Sequence, residues 1–278
     1  GIWNFNWVQD ADMRPTDFYR TDFNDKYWAK FPVPATWERN GYGDLVYLSR
    51  GYPWANQFKS DPPYVPNKNN AVGSYRRTFI LPQNWDKQQV YLNIGGVTSN
   101  VYVWINGQFV GYSEDSRIAA EFDITKYLKK GENLIALQVY RWCDGTYLED
   151  QDMWRQAGIF RDVFLYSRNP VHIDDIFIKP SLVNNFTEGI LDFSVNLNEP
   201  ATYSIDCQLM DQTGKVVYEN SLKPDGKGEI HQSVRIPEPQ KWTAETPNLY
   251  NMFFSLKNNS GEIVEVIRQS VGFRNIEI

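Results

Sequence analysis

The sequence is poor in the residues that disulfide-stapled and zinc-stapled proteins depend on. Two cysteines and two histidines occur among 278 residues, and no His-x-x-His or Cys-His cluster is present. Cys143 and Cys207 fall in segments that we assign to different domains below, so we expect no disulfide between them. The composition therefore excludes a disulfide-rich secreted scaffold and argues against a zinc site.

The sequence also lacks a clustered positive charge and a long apolar run. The net charge is −6, which argues against nucleic acid and anionic membranes as partners because basic surfaces bind both. No run approaches the roughly 20 apolar residues that span a bilayer. A nucleophile elbow and a phosphate-binding loop are absent as well. No signal peptide is visible, but the first residue is Gly1 and not Met, so the compartment stays open between cytoplasm and periplasm.

Aromatic residues are abundant, at 15% of the chain, with 10 Trp and 17 Tyr. Such rings pack on the C–H faces of pyranose sugars, and they also fill the cores of β-proteins because strands favour them. We assign most of the rings to cores and keep sugar binding as the alternative for the rest.

Residues 1–72 show little periodicity and are rich in Pro, Trp and Tyr. Disordered tails are poor in aromatics, so we predict an ordered but irregular segment that wraps over a body. From Tyr75 onward the pattern changes to short strands, predicted at 75–81, 89–94, 100–105, 108–113, 134–141 and 161–166. Asn106-Gly107 between two of them is a strong hairpin signal. Residues 122–128 are either a strand edge or a short helical turn.

Asn169-Pro170 is a structure breaker, and we place a domain boundary there. Seven short strands are predicted after it, at 173–179, 190–197, 203–210, 216–221, 229–235, 250–256 and 263–272. This spacing is typical of an immunoglobulin-like sandwich without the disulfide. We therefore predict an all-β chain, with a jelly-roll (galactose-binding-like) sandwich at 1–168 and an immunoglobulin-like sandwich at 169–278. No long amphipathic helix is present, so a βα barrel is not encoded in these residues.

The densest polar cluster runs from Arg141 to Arg155 and reads Arg-Trp-Cys-Asp-Gly-Thr-Tyr-Leu-Glu-Asp-Gln-Asp-Met-Trp-Arg. Its acids allow three interpretations. In the first, they are a catalytic pair, which in retaining glycosidases needs carboxyl groups about 5 Å apart. In the second, they hold a hard cation through oxygen ligands. In the third, which we favour for Glu149, Asp150 and Asp152, they brace the fold through bidentate bonds to arginines.

This run resembles a segment of the sugar-binding domain in the β-galactosidases of glycoside hydrolase family 2. Further matching pieces extend the resemblance over nearly the whole chain, in order: Gly95-Gly96-Val97, Val103-Trp104-Ile105-Asn106-Gly107, Val110-Gly111-Tyr112-Ser113, Asp115-Ser116-Arg117, Glu121-Phe122-Asp123-Ile124, Gly158-Ile159-Phe160-Arg161-Asp162-Val163, Trp242-Thr243-Ala244-Glu245-Thr246-Pro247-Asn248-Leu249-Tyr250 and Val271-Gly272-Phe273-Arg274.

The resemblance implies a modular enzyme that hydrolyses terminal β-galactosides with retention. In the family, a barrel that follows these two domains supplies both catalytic glutamates. We therefore expect this chain to stop before the barrel, to contain no catalytic residue and to be inactive alone. The resemblance also implies a homo-oligomer, with sodium and magnesium as candidate ions of the full enzyme. The alternative is a self-sufficient carbohydrate-binding module.

Site residues carry over from the family only where this sequence matches its motifs. The aspartate of the Trp-Cys-Asp-Gly run is Asp144, which the resemblance implies contacts galactose hydroxyls and helps to hold sodium. A second family contact comes from an asparagine in a Gly-Val-Asn-Ser loop. Thr98 stands at that position here, where the sequence departs from the family. Thr98 can donate one hydrogen bond in its place, and Asn100 is a substitute from a shifted position.

Overall fold

The computed structural model describes residues 1–54, 56–149 and 151–276. Two compact units divide the chain, Gly1–Ser167 and Arg168–Ile278, and each has its own hydrophobic core. Both units are built from strands joined by loops and short 3-10 turns, so the all-β prediction is confirmed. Within the described ranges, no helix reaches the length and apolarity that a membrane span requires.

The first unit is a sandwich of short strands. Its strands are β1 (Ile2–Val8), β2 (Ala29–Pro32), β3 (Ala35–Thr36), β4 (Val46–Leu48), β5 (Val72–Ile80), β6 (Gln89–Ile94), β7 (Val97–Thr98), β8 (Asn100–Ile105), β9 (Gln108–Glu114), β10 (Ala120–Asp123), β11 (Glu132–Tyr140), β12 (Met153–Arg155), β13 (Gly158–Ile159) and β14 (Val163–Arg168). The 3-10 turns are Ala11–Met13, Glu38–Asn40, Gln83–Trp85, Thr125–Tyr127 and Asp144–Tyr147.

Two main sheets enclose the core of this unit. One has six strands in the order β2-β1-β5-β11-β8-β9, and the other has three in the order β10-β6-β14. Burial alternates along β6, so that Val90, Leu92 and Ile94 point to the core that also contains Val101 and Val103 of β8. This period of two is what a sheet with one buried face requires. Smaller sheets, β3-β13-β7 and β4-β12, carry the loops described below.

The predicted hairpin is confirmed. β8 and β9 pair antiparallel, and the turn between them is Asn106-Gly107. Both residues have positive φ, 51° and 84°, as a two-residue type I′ turn demands. The predicted strands at 89–94 and 100–105 coincide with β6 and β8, and 122–128 divides into the end of β10 and a 3-10 turn.

The N-terminal segment differs from the prediction in its first residues. Ile2–Val8 is not irregular, because β1 lies inside the six-stranded sheet and pairs with both β2 and β5. The alternation of Trp3, Phe5 and Trp7 with Asn4 and Asn6 is the strand signal that the prediction missed.

The residues between β1 and β2, which we call the N-terminal strap, wrap over the sheet, as predicted. Arg76 of β5, only 4% exposed, holds them there. Its guanidinium donates to the carboxylate of Asp25 at 2.8 Å, to the carbonyl oxygen of Arg20 at 3.0 Å and to that of Phe18. The strap is therefore ordered by one buried cation whose donors are shared among its backbone carbonyls and one carboxylate.

The second unit is a sandwich of seven strands, as predicted. They are β15 (Ile173–Val183), β16 (Glu188–Leu197), β17 (Ser204–Met210), β18 (Val216–Leu222), β19 (Glu229–Pro237), β20 (Tyr250–Lys257) and β21 (Ile263–Val271). A three-stranded sheet, β15-β16-β19, and a four-stranded sheet, β18-β17-β20-β21, supply one core. Cys143 and Cys207 are both free and buried, so the expectation of no disulfide is confirmed.

Asp25→Asn should weaken the strap and make stability less sensitive to acid. Burial acts to raise the pKa of Asp25, but hydrogen bonds from Asn4 and Arg76 outweigh it and hold the pKa below its usual value. A lowered folded-state pKa adds stability above the unfolded value and loses it as pH falls. We expect Asp25→Asn to reduce the free energy of unfolding by about 1–3 kcal/mol at pH 7. The deficit should shrink as pH falls below about 4.

Urea unfolding at pH 7 and pH 3 measures this difference. Asp22→Asn is the control, since it removes an ion pair between Asp22 and Arg20 that lies in solvent. Exposed pairs of this kind contribute little, so that variant should match the wild type at both pH values. An Asp25→Asn deficit of equal size at both pH values would contradict the assignment.

Candidate functional site

The loop that contains Asp144 leaves the six-stranded sheet at a fixed point. Asn70, 2% exposed, donates from Nδ2 to the carbonyl oxygen of Trp142 at 3.0 Å and accepts from the Trp142 N–H at 2.9 Å. One residue earlier, the Arg141 N–H donates to the carbonyl oxygen of Ala71 at 2.9 Å. The Asn70 amide thus continues the pairing between β5 and β11 where the backbone of the loop turns away.

A single 3-10 turn, Asp144–Tyr147, then presents Asp144 to solvent. The Cys143 N–H donates to Thr146 Oγ1 at 3.1 Å, and the Thr146 N–H donates back to the Cys143 carbonyl at 3.0 Å. Reciprocal bonds of this kind satisfy the donors that the start of a turn leaves unpaired. Cys143 and Thr146 are buried while Asp144 is exposed, so the carboxylate stands on a rigid base.

Asp144 does not stand alone. One carboxylate oxygen each from Glu114 and Asp144, together with Cys143 Sγ, lie within 4.8 Å of one another. Glu114 is the last residue of β9, and its Oε2 accepts from the Gly145 N–H at 3.3 Å. Burial raises the pKa of the Cys143 thiol to about 11. Sequence reasoning did not identify Glu114 or Cys143 as members of this site.

The structure separates Thr98 and Asn100. Thr98 ends β7, and its buried hydroxyl has no hydrogen-bond partner in the part of the chain that the structure describes. It lines a small cavity of about 30 Å³ together with Ser99, Trp142 and Glu149, and Asp144 does not line this cavity.

The side chain of Asn100 is instead hydrogen-bonded within the sheet. It is 4% exposed, and its Oδ1 accepts from the Tyr140 N–H at 3.1 Å. Its Nδ2 donates to the hydroxyl of Tyr112 at 3.3 Å. Both ends of the amide therefore have partners within the fold, unlike the hydroxyl of Thr98.

Glu149 and Asp152 brace the loop through Ser116 and Tyr47, whereas the prediction named arginines. Glu149 accepts from the backbone N–H of Ser116 at 2.7 Å and from its hydroxyl at 2.5 Å. Asp152 accepts from the hydroxyl of Tyr47 at 2.5 Å. Arg155 donates to the backbone carbonyl of Glu149 at 2.8 Å. Asp150 lies outside the described residues.

Arg141 connects the loop to an earlier turn of the chain. Its guanidinium lies 3.8 Å from the carboxylate of Glu38, and it donates to the carbonyl oxygen of Asp44 at 3.0 Å. Glu38 also accepts from the Ala157 N–H at 3.1 Å. Burial raises the pKa of Glu38, so this pair is stabilised by its hydrogen bonds as much as by charge.

Comparison with known families gives this geometry its context. The profile described as "Glycosyl hydrolases family 2, sugar binding domain" matches residues 1–170, and "Glycosyl hydrolases family 2" matches residues 171–274. This chain belongs to glycosyl hydrolase family 2. The resemblance seen in the sequence is therefore confirmed, and the second match covers the unit with the immunoglobulin-like sandwich.

Curated relatives within the family are β-galactosidases. The chain is 42% identical to that of Priestia megaterium and 40% identical to that of Vibrio vulnificus strain CMCP6, over its whole length in both cases. It spans only 28% and 27% of those two enzymes. At 34% identity it aligns to 31% of the β-galactosidase of Clostridium acetobutylicum.

Solved structures of two other glycosidases show the same fold. A β-glycosidase from Bacteroides vulgatus superposes with a TM-score of 0.74 at 24% identity, over 99% of this chain and 33% of that one. A β-glucuronidase from Bacteroides uniformis gives a TM-score of 0.75 at 21% identity, over 97% of this chain and 31% of that one. At these identities the likeness concerns the fold alone.

Asn70→Ala should destabilise the first unit strongly. The substitution leaves the N–H and the carbonyl of Trp142 buried and unpaired, and each such group costs about 1–3 kcal/mol. We expect the free energy of unfolding in urea to fall by about 2–4 kcal/mol. Asn67→Ala is the matched control, because Asn67 is exposed and its amide contacts only the exposed Asp12. A loss below about 1 kcal/mol for Asn70→Ala would show that water replaces the amide.

Proposed function

We propose that this chain is the non-catalytic N-terminal part of a β-galactosidase and forms one wall of its sugar site. The parent enzyme, a homo-oligomer, hydrolyses terminal non-reducing β-D-galactosides with retention. The alignment of the whole chain to about 28% of curated β-galactosidases supports the proposal. In the described residues, the exposed carboxylate of Asp144 on its braced turn is the observation that carries it.

Asp144 is suited to contact a sugar. An ionised carboxylate accepts two hydroxyl hydrogen bonds at once, and those bonds are stronger than bonds between neutral groups. The bonds from Asn70 to Trp142 and the reciprocal bonds between Cys143 and Thr146 hold the turn in one geometry. Because the backbone of the turn is already ordered, little backbone entropy is lost when Asp144 binds a ligand, which is the advantage of a preorganised site.

Thr98 is the second proposed contact. Its hydroxyl is buried without a partner, and a buried polar group of this kind costs free energy until a hydrogen bond satisfies it. A ligand hydroxyl provides that bond. Asn100 is the weaker of the two candidates, because it would have to release the Tyr112 hydroxyl before its amide could reach a sugar.

Sodium fits part of this site. The carboxylates of Asp144 and Glu114 are the hard oxygen ligands that such a cation takes, whereas Cys143 Sγ between them is not. We propose that Asp144 holds sodium in the full enzyme and that the ion neutralises charge beside the sugar. For magnesium, the described residues offer no further group of three ligating side chains, so we leave that ion to the rest of the enzyme.

The 278-residue chain should not hydrolyse a chromogenic β-galactoside, whereas the full-length gene product should. In the full-length enzyme we expect Asp144→Asn to lower kcat/KM about ten- to hundred-fold, since hydrogen bonds to a charged group contribute about 1.5–3 kcal/mol. Asp152→Asn, on the same loop, is the control and should leave kcat/KM nearly unchanged. Turnover by the isolated chain that Asp144→Ala abolishes would overturn the non-catalytic assignment.

A self-sufficient carbohydrate-binding module is the second candidate, and an aromatic surface favours it. The rings of Tyr102 and Tyr112 lie 4.6 Å apart between centroids, and Phe109 beside them is 52% exposed. Calorimetric titration of the chain with galactose and with lactose separates the two functions. We expect no measurable binding, because one wall of a pocket offers too few contacts. Affinity of about 1 mM or tighter would favour the module.

A further inference from the structure

The chemistry of the Glu114–Cys143–Asp144 cluster differs from that of an acidic patch. Two of its three donors are carboxylate oxygens, and the third is a sulfur that is almost completely buried, since Cys143 is 5% exposed. The Cys143 thiol lies 3.9 Å from the carbonyl oxygen of Ser99 and also contacts the carboxylate of Glu114. A set of one sulfur and two oxygens suits borderline and soft divalent ions, whereas sodium and magnesium take oxygen alone.

The backbone keeps a space open beside these donors. A Cβ at Gly145 would lie 3.0 Å from Glu114 Oε2 and 3.4 Å from Cys143 Sγ. The first contact is tighter than an ordinary one, so a larger residue would crowd the Glu114 carboxylate, whereas the second is an ordinary van der Waals contact. Gly145 does not have a positive φ, which means that chain geometry does not require glycine here. The missing side chain instead leaves the donors free to converge.

We propose that Glu114, Cys143 and Asp144 bind a thiophilic divalent cation of the zinc and cadmium type. The ion would take the Cys143 sulfur as thiolate and one oxygen from each carboxylate, and the thiol proton passes to solvent as the sulfur–metal bond forms. Water completes the coordination on the exposed side of Asp144, as in sites that have three protein ligands.

The spacing of the donors is compatible with this coordination. Metal–ligand bonds of about 2.0–2.3 Å at tetrahedral angles separate the ligand atoms by about 3.3–3.8 Å. The three donors lie within 4.8 Å of one another, so closure needs a shift of about 1 Å. Asp144 is exposed and Glu114 is half-buried, so rotation of their side chains can supply this shift while Cys143 stays in place.

This site overlaps the sodium contact proposed above, because both draw on the carboxylates of the same cluster. Sodium does not require Cys143, and the thiophilic ion does. Because both ions would lie in the same small space beside Asp144, the two cations compete for it. Metal binding by these three residues does not depend on galactosidase activity, so it can be measured on the chain alone.

Cadmium titration of the 278-residue chain tests the proposal, because a cadmium–thiolate bond has an ultraviolet charge-transfer band. We expect the band to rise and saturate at about one cadmium per chain. Zinc, added afterwards, should remove it by competition. Sodium and magnesium at equal concentration should not remove it, because oxygen-preferring ions compete poorly for a thiolate.

Matched variants assign the ligands. Cys143→Ser should abolish the band, whereas Cys207→Ala should retain it, since Cys207 is the second free cysteine and lies in the core of the other unit. Glu114→Gln should weaken cadmium binding about ten-fold or more, because even outer partners of a metal ligand contribute that much. Gly145→Ala should weaken it by a smaller factor, because a Cβ at this position crowds Glu114 Oε2.

Far-UV circular dichroism of each variant is the control for folding. Glu114→Gln changes a half-buried surface residue, so it tests the site even if Cys143→Ser is unstable. A band that persists in Cys143→Ser, or that disappears in Cys207→Ala, would overturn the proposal. So would a wild-type chain that binds no cadmium in the micromolar range, or a Glu114→Gln affinity equal to that of the wild type.

Discussion

The bonds between the Asn70 side chain and the Trp142 backbone are the constraint on which the site depends. β11 ends at Tyr140, and the chain must then leave the sheet with its backbone groups still buried. An asparagine amide has one donor and one acceptor in the geometry of a peptide group, so it pairs with both groups of Trp142 at once. The turn that presents Asp144 begins two residues later.

The buried guanidinium of Arg76 orders the N-terminal strap in a similar way. Arg76 is buried in the sheet, and its donors meet backbone carbonyls and the carboxylate of Asp25. Neither Asn70 nor Arg76 would be favourable in a core without these bonds, because an unpaired buried polar group costs more than one bond returns. Two irregular segments of this unit are therefore each held by one buried polar side chain of the six-stranded sheet or its edge.

Much of the fold could be predicted from sequence because its signals are local. Short β-rich runs separated by turn residues indicated the seven strands of the second unit, and Asn106-Gly107 indicated a hairpin. The partner of Asn100 could not be found in this way. A regular two-residue hairpin pairs Asn100 with Ser113, but an irregularity between Val103 and Trp104 shifts the register so that Glu114 lies opposite. The turn residues Asn106-Gly107 fix the pairing only next to the turn, and they do not indicate an irregularity further along the strands.

This shift explains why the site has a different composition from the one that sequence reasoning gave it. Side chains alternate between the two faces of a strand. A register shift of one residue in β9 therefore places Glu114, and not Ser113, opposite Asn100. With Glu114 in that place, a second carboxylate and a buried sulfur stand beside Asp144. The acids with partners, Glu149 and Asp152, brace the loop, whereas Asp144 stays exposed on its turn. The carboxylates of Asp144 and Glu114 can therefore bind a cation or accept hydrogen bonds from a sugar hydroxyl. The register of the β8–β9 hairpin is what brings Glu114 to this position.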